Sequence, residues 1–279
     1  MRRGRGTLYR RLQSLQFLLG RDRRAVLTFL REPLPIRLSA VERIRLVTRF
    51  VHITNQVRAY HSQAQMLAVA TAILRRAGEP GLTVVECGCA KGASTAKLSL
   101  VAALAGARLF VFDSFRGMPE NDERHEDLLG RRMIFRRGAF RGRLREVQRT
   151  VEALGAPSVV EYRKGWFAET LPLFEGSVDV ALLDVDLVSS TRTCVAQLAP
   201  RLRRGGVIFT QDGHLRATVD LLADETFWDG IGLLPPHIEG LGEEKFLAIR
   251  LAEVDAGASL GAASDPVLDE RRRQAKRGA

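Results

Sequence analysis

The sequence predicts an α/β fold, a doubly wound and mostly parallel sheet with helices on both faces. Three observations carry this. From residue 82 onward, short β-branched runs alternate with longer helix-like stretches, the pattern of parallel strands joined by covering helices. The first of these runs enters a glycine-bearing turn and then a helix, Val84-Val85-Glu86-Cys87-Gly88-Cys89-Ala90-Lys91-Gly92-Ala93-Ser94-Thr95. Later runs end in acids, at Asp113, Asp184 and Asp212, and ligands of open α/β sheets sit at such strand ends. The 279 residues are 46% hydrophobic and 27% charged, enough for one such domain with an extension.

Residues 1–31 read as helical, with Leu12, Leu15, Phe17, Leu18, Val26, Leu27, Phe29 and Leu30 set among arginines; Pro33 and Pro35 break the segment. Ser39 and Glu42 have the spacing of a capping box, opening a helix through Ile44, Leu46, Val47 and Phe50. A further helix is expected over about 60–76, with Leu67, Ala70, Ile73 and Leu74 as its stripe; Gly78, Pro80 and Gly81 end it. Residues 1–78 are thus expected to form a basic helical extension or lid, and 79–253 the main domain. Strands are expected at 82–86, 108–112, 158–162, 178–184, 206–210 and 245–251, and helices near 93–105, 142–154, 189–203 and 214–227. Gly205-Gly206 reads as a tight turn out of a helix. Residues 254–279, rich in Ala, Gly and Ser before Arg271, Arg272 and Arg273, read as a disordered tail.

The net charge of +11 is confined to the first 60 residues, which hold fourteen arginines, no lysine and three acids; the remainder sums to zero. A nucleic-acid partner gathered by a domain-wide positive field is therefore not indicated. The arginines of residues 1–35 suit an anionic membrane surface, a solvated face or a contact in a homo-oligomer, and these readings stay open. There is no signal-like apolar segment and no uncharged apolar run of about 18 residues. Cys87, Cys89 and Cys194 are a sparse, odd set, pointing to a reducing cytoplasm; the Cys87-x-Cys89 pair lacks the further ligands of a zinc site.

The Gly-rich turn has the spacing E-x-G-x-x-x-G rather than the dinucleotide fingerprint. An acid here repels a pyrophosphate and welcomes an ammonium, shifting the expected ligand from NAD to S-adenosyl-L-methionine. Glu86, Gly88, Ala90, Lys91, Gly92, Ser94 and Thr95 are the candidate contacts of that turn. Asp113, followed by Ser114, suits the two hydroxyls of a ribose; a helix cap is its other use. Gly165-Trp166, after a third strand, offers close approach and a stacking face to a purine, or a core tryptophan. Adjacent strands bring Asp184 and Asp212 together, and with the amide of Gln211 they form a hard-oxygen set suited to Mg²⁺, which would acidify a substrate hydroxyl. The same acids also serve as caps without a metal. Asp184 and His214 are the candidate catalytic residues, with His125 a second candidate base.

These pieces, in order, resemble the macrocin O-methyltransferase family. The resemblance covers about 82–250. It rests on Val85-Glu86-Cys87-Gly88 with Gly92, on Phe112-Asp113-Ser114-Phe115-Arg116-Gly117-Met118-Pro119, and on Lys164-Gly165-Trp166-Phe167-Ala168-Glu169-Thr170-Leu171-Pro172. Asp184-x-Asp186 with Ser190-Thr191, Gly205-Gly206 and Asp212 complete it. It implies a Rossmann-like class I methyltransferase fold with a seven-stranded sheet whose last strand is reversed. The cofactor would lie over the first two strand ends and Mg²⁺ near the fourth and fifth. The family pattern has two consecutive acids where this chain has Gln211-Asp212, and a tyrosine where it has Val188, so metal and acceptor sites are expected to differ. The functional expectation is transfer of a methyl group from S-adenosyl-L-methionine to a hydroxyl of a small molecule, a sugar or natural product. The alternative is a methyltransferase-like module that binds a membrane surface or scaffold through its Arg-rich N-terminus.

Overall fold

The computed structural model describes Gly20 and residues 22–252. The expectations for 1–19 and for the tail lie outside these residues, and with them most of the expected membrane contact.

Nine helices and nine strands are described. Three helices come first: α1 (Arg23–Arg31), α2 (Ala40–Gln56) and α3 (Gln63–Arg75). The expected capping box opens α2, with the Ser39 hydroxyl accepting from the Glu42 N–H and the Glu42 carboxylate accepting from the Ser39 N–H. A second box, from Ser62 and Gln65, opens α3. The alternating part then runs β1 (Thr83–Cys87), α4 (Ala93–Ala105), β2 (Arg108–Asp113), a ribbon of β3 (His125–Glu126) and β4 (Arg132–Met133), α5 (Leu144–Leu154), β5 (Val160–Lys164), the single turn α6 (Phe167–Thr170) and β6 (Val178–Leu183). It continues with α7 (Val188–Leu198), β7 (Leu202–Thr210), α8 (Arg216–Ala223), α9 (Glu225–Gly230), β8 (His237–Glu239) and β9 (Leu247–Arg250).

Seven strands form one sheet in the order β5-β2-β1-β6-β7-β9-β8. The first five are parallel, and β9 runs against both β7 and β8. This is the expected doubly wound sheet with its last strand reversed. Strand order turns back between β1 and β6, which opens a crevice at their carboxyl ends.

Alternate residues of each strand feed opposite layers. Val84, Leu109, Val111, Val180 and Val207 join a core with Phe29, Phe50, Met66 and Leu98 from the α1–α4 side. Val85, Phe110, Phe112, Ala181 and Ile208 join one with Leu171, Cys194, Leu221 and Trp228 from the other. The extension helices α1–α3 therefore share the core of the sheet.

Three details differ from the sequence reading. Gly205-Gly206 lies within β7, beside a register shift against Val178 and Val180, rather than in a turn before it. The helix expected over 214–227 is two, because the Asp224 side chain accepts from the Thr226 N–H and starts α9 afresh. The ribbon β3–β4 and strand β8 carry no apolar alternation and have no counterpart in the sequence reading. No helix among the described residues is long and apolar enough to cross a membrane.

Candidate active site

The turn after β1 is stitched to its neighbours by main-chain bonds. The Gly88 N–H donates to the Phe112 carbonyl at 3.0 Å, and the Asp184 N–H to the Cys87 carbonyl at 3.0 Å. Gly88 has φ of 84°, and a Cβ there would stand 2.1 Å from the Asp184 carbonyl oxygen, so only glycine fits. Asp113, at the end of β2, holds the turn from the side: Oδ2 accepts from the Cys89 N–H at 2.8 Å and Oδ1 from the Phe115 N–H at 2.6 Å. Each carboxylate oxygen can accept a second bond. Asp113 lines a cavity together with Gly88, Ala90, Ser114, Gly165 and Trp166, which brings together six of the eleven residues expected to bind cofactor.

The other five do not line it. Gly92, at φ 81°, begins α4, and Lys91 is exposed. Ser94 and Thr95 are buried in the first turn of α4, and Thr95 Oγ1 donates to Glu86 Oε2 at 2.6 Å. Glu86 is fully buried and its Oε1 has no partner. Burial pushes the Glu86 carboxyl up to about 7; the hydroxyls of Ser94 and Thr95 oppose this, and the charges of Asp113 and Asp184 add to it.

Next to Gly88 the cavity is acidic. Asp184, Asp186 and Asp212 each place a ligand oxygen within 4.8 Å of the others. Asp186 adopts φ of 59°, which curls the chain after β6 and returns this side chain towards Asp184. Asp212 is fixed by the N–H groups of Val185 and Asp186, both donating to Oδ2 at 3.1 Å, while its Oδ1 is buried and unpartnered. Burial pushes all three carboxyls upward. For Asp184 the charge of Asp212 adds to this, and for Asp186 those of Asp212 and Asp184 do. An orphaned buried oxygen within a three-carboxylate set is donor chemistry that fits a hard divalent cation. Gln211, like Asp212, is wholly buried and not among the cavity-lining residues, and neither atom of its amide is hydrogen bonded.

His214 lines the cavity, its Nδ1 3.3 Å from the Gln211 carbonyl oxygen, and burial followed by the charge of Lys245 lowers its pKa. His125 sits instead in the segment between β2 and α5, called the lid below, edge-on to Phe135 with Nε2 3.3 Å from Glu123 Oε2; burial lowers its pKa. Asp186, Lys245, Tyr60, Phe135 and Phe140 line or complete the site without having been singled out as its residues. The Asp-x-Asp spacing was the available signal for Asp186. The others come from separate segments that only the fold brings together. The three cysteines are free and buried.

A parallel sheet with one reversed strand, a Gly-rich turn after β1 and an acid after β2 define the class I S-adenosylmethionine-dependent methyltransferase fold. The solved structure of the O-methyltransferase NovP has this architecture: TM-score 0.56, 19% identity, covering 70% of this chain and 83% of that one. The family model for macrocin O-methyltransferase (TylF) matches residues 61–227, and the chain belongs to that family. A tetracenomycin-C rhamnosyl 4'-O-methyltransferase of Streptomyces olivaceus is 33% identical over 171 residues, covering 59% of this chain and 65% of that protein. The match thus spans just under two thirds of that relative's length.

Proposed function

We propose that this protein is an S-adenosyl-L-methionine-dependent O-methyltransferase acting on a sugar hydroxyl of a natural product, a deoxyhexose such as rhamnose. The carrying observation is the single cavity that joins the strand-end wall of Gly88, Asp113 and Trp166 to the acidic end at Asp184, Asp186 and His214. Family membership and the rhamnosyl methyltransferase relative support the acceptor class.

Asp113 would accept the ribose hydroxyls with its free lone pairs, Trp166 would give the purine a stacking face, and the unpaired Glu86 Oε1, buried beneath the turn, would supply an acceptor on the side of the cofactor's ammonium. The acceptor hydroxyl lies towards Asp184 and His214. His214, kept neutral by its surroundings, takes the hydroxyl proton, and catalysis beyond this is mainly the holding of two reactants in line. Asp184, Asp186 and Asp212 would hold Mg²⁺, whose contribution when bound is to polarise the acceptor oxygen. Lys245 supplies positive charge at the same end.

Calorimetry with S-adenosylhomocysteine tests the reading. Wild type is expected to bind, and Asp113→Ala to bind at least about tenfold more weakly, since both its turn-holding and ribose-accepting bonds are lost. No binding to wild type sinks the proposal. Methyl transfer assayed with and without EDTA decides the metal: unchanged turnover in EDTA removes Mg²⁺ from the account.

A further inference from the structure

The cavity has a third wall that neither the cofactor end nor the acidic end uses. It is formed by Tyr60, Met118, Met133, Phe135 and Phe140, none of them charged. Tyr60 precedes α3; the others belong to the segment between β2 and α5. The rings of Tyr60 and Phe140 meet edge to face at 5.1 Å, and Phe135 stands 6.4 Å from Phe140. Apart from Met118, which is buried, none of these side chains belongs to the hydrophobic cores of the described residues. Tyr60 stays 42% exposed and Phe140 37%. Large apolar rings left in contact with both a cavity and solvent are surface a ligand can cover.

Tyr60 is also held in place from behind. The next residue, His61, has Nε2 2.9 Å from the Lys97 ammonium, which donates to Thr54 Oγ1 at 2.7 Å. Lys97 is wholly buried on α4, the helix that begins at the Gly-rich turn. In front, the Arg58 guanidinium lies 5.0 Å from the Tyr60 ring centre. The tyrosine is thus anchored to the cofactor helix on one side and touches the lid on the other. Along residues 132–136, Met133 and Phe135 line the cavity, while Arg132, Ile134 and Arg136 are exposed.

We propose that Tyr60 and Phe140 form an aromatic clamp over the acceptor end of the cavity, selecting acceptors that carry a flat apolar ring next to the sugar. The proposal rests on the methyltransferase reading and goes beyond it by assigning acceptor selection to a residue of the N-terminal extension. The sugar occupies the polar end by Asp184 and His214, and the ring attached to it lies against Tyr60, Phe135 and Phe140. Edge and face contacts with such a ring favour it over a substituent lacking one by about tenfold.

The test titrates protein saturated with S-adenosylhomocysteine with p-nitrophenyl rhamnoside and, separately, methyl rhamnoside. Wild type is expected to bind the aryl glycoside about tenfold more tightly. Tyr60→Ala and Phe140→Ala each lose most of that preference, Tyr60→Phe keeps it, and all four proteins bind S-adenosylhomocysteine alike. A wild type without the preference, or both alanine variants retaining it, overturns the clamp. So does a parallel loss of S-adenosylhomocysteine affinity in the alanine variants, which would put the two rings on the cofactor rather than the acceptor. Failure of wild type to bind S-adenosylhomocysteine overturns the underlying methyltransferase reading instead.

Discussion

Glu86 is an acid in a place that opposes its charge. It is wholly buried, receives one hydroxyl and leaves one oxygen bare. Burial pushes its carboxyl up to about 7 in the folded state, against an ordinary value of 4.5. The folded state therefore binds a proton that the unfolded chain has released over that window. The stability this contributes is complete below about 4.5 and is lost as pH rises through about 7. Glu86→Gln keeps an oxygen for Thr95 and removes the ionisation. At pH 8 the variant is expected to be more stable than wild type by up to about 3 kcal/mol, and to bind S-adenosylhomocysteine at least about tenfold more weakly, a trade between stability and function. Urea denaturation at pH 5 and pH 8, with calorimetry alongside, checks both halves; a variant less stable than wild type at pH 8 contradicts the assignment. Strand-end acids such as Glu86 and Asp113 were legible in the sequence because an acid closing an apolar run has few other uses. Tyr60, between Ala59 and His61, carries no local pattern, and only the fold reveals its position.

Among the elements, those that the sheet buries on both faces were plain in the sequence. β1, β2, β6 and the apolar half of β7 are runs of Val, Leu, Ile and Phe, since each side of the strand meets a hydrophobic layer. The ribbon of β3 and β4 is two residues a side and depends on a few tertiary bonds, so its sequence has no period to read. The Leu128 N–H donates to the His214 carbonyl at 3.1 Å, and Asp127 bridges to Leu215. Just before the ribbon, Glu123 reaches the start of α7, which has no side-chain cap of its own. Its Oε2 accepts from the Val188 N–H at 2.9 Å, and Oε1 is bonded by the Ser189 hydroxyl. A carboxylate at this end also complements the helix dipole. Glu123 thus caps α7 and pins the lid in one contact. Glu123→Ala is expected to cost about 1 kcal/mol and to speed tryptic cleavage at the lid arginines between Arg124 and Arg137. A cleavage pattern and melting temperature equal to wild type would show that the lid is held elsewhere.

At the scale of the whole molecule, the basic extension and the alternating domain meet on a buried lysine. Lys97 of α4 reaches Thr54 of α2 and His61, with Gln63 Oε1 at 3.4 Å. The Gln63 N–H in turn donates to Asp22, beside α1. Since α1–α3 also share the sheet's hydrophobic core, unfolding of extension and domain is expected as one transition. Burial lowers the Lys97 ammonium from 10.5 to about 7, opposed by the charge of Asp22. The unfolded chain keeps this proton to about 10.5 and the folded one releases it near 7. Stability from this group is therefore full above about 10.5 and falls with pH down to about 7, by up to about 1.4 kcal/mol per pH unit. The thiols of Cys87 and Cys89, raised by burial, work in the opposite sense above pH 9, and Asp186, near 8 when folded, opposes it as well. The contribution of Lys97 is isolated by comparing wild type with Lys97→Met at pH 7.5 and pH 8.5, because the other groups are common to both proteins. Relative to the variant, wild type is expected to gain about 1 kcal/mol between the two. Equal pH dependence in the two proteins would mean that the bonds to Thr54, His61 and Gln63 offset the cost of burying the ammonium, so that its pKa is not lowered on folding.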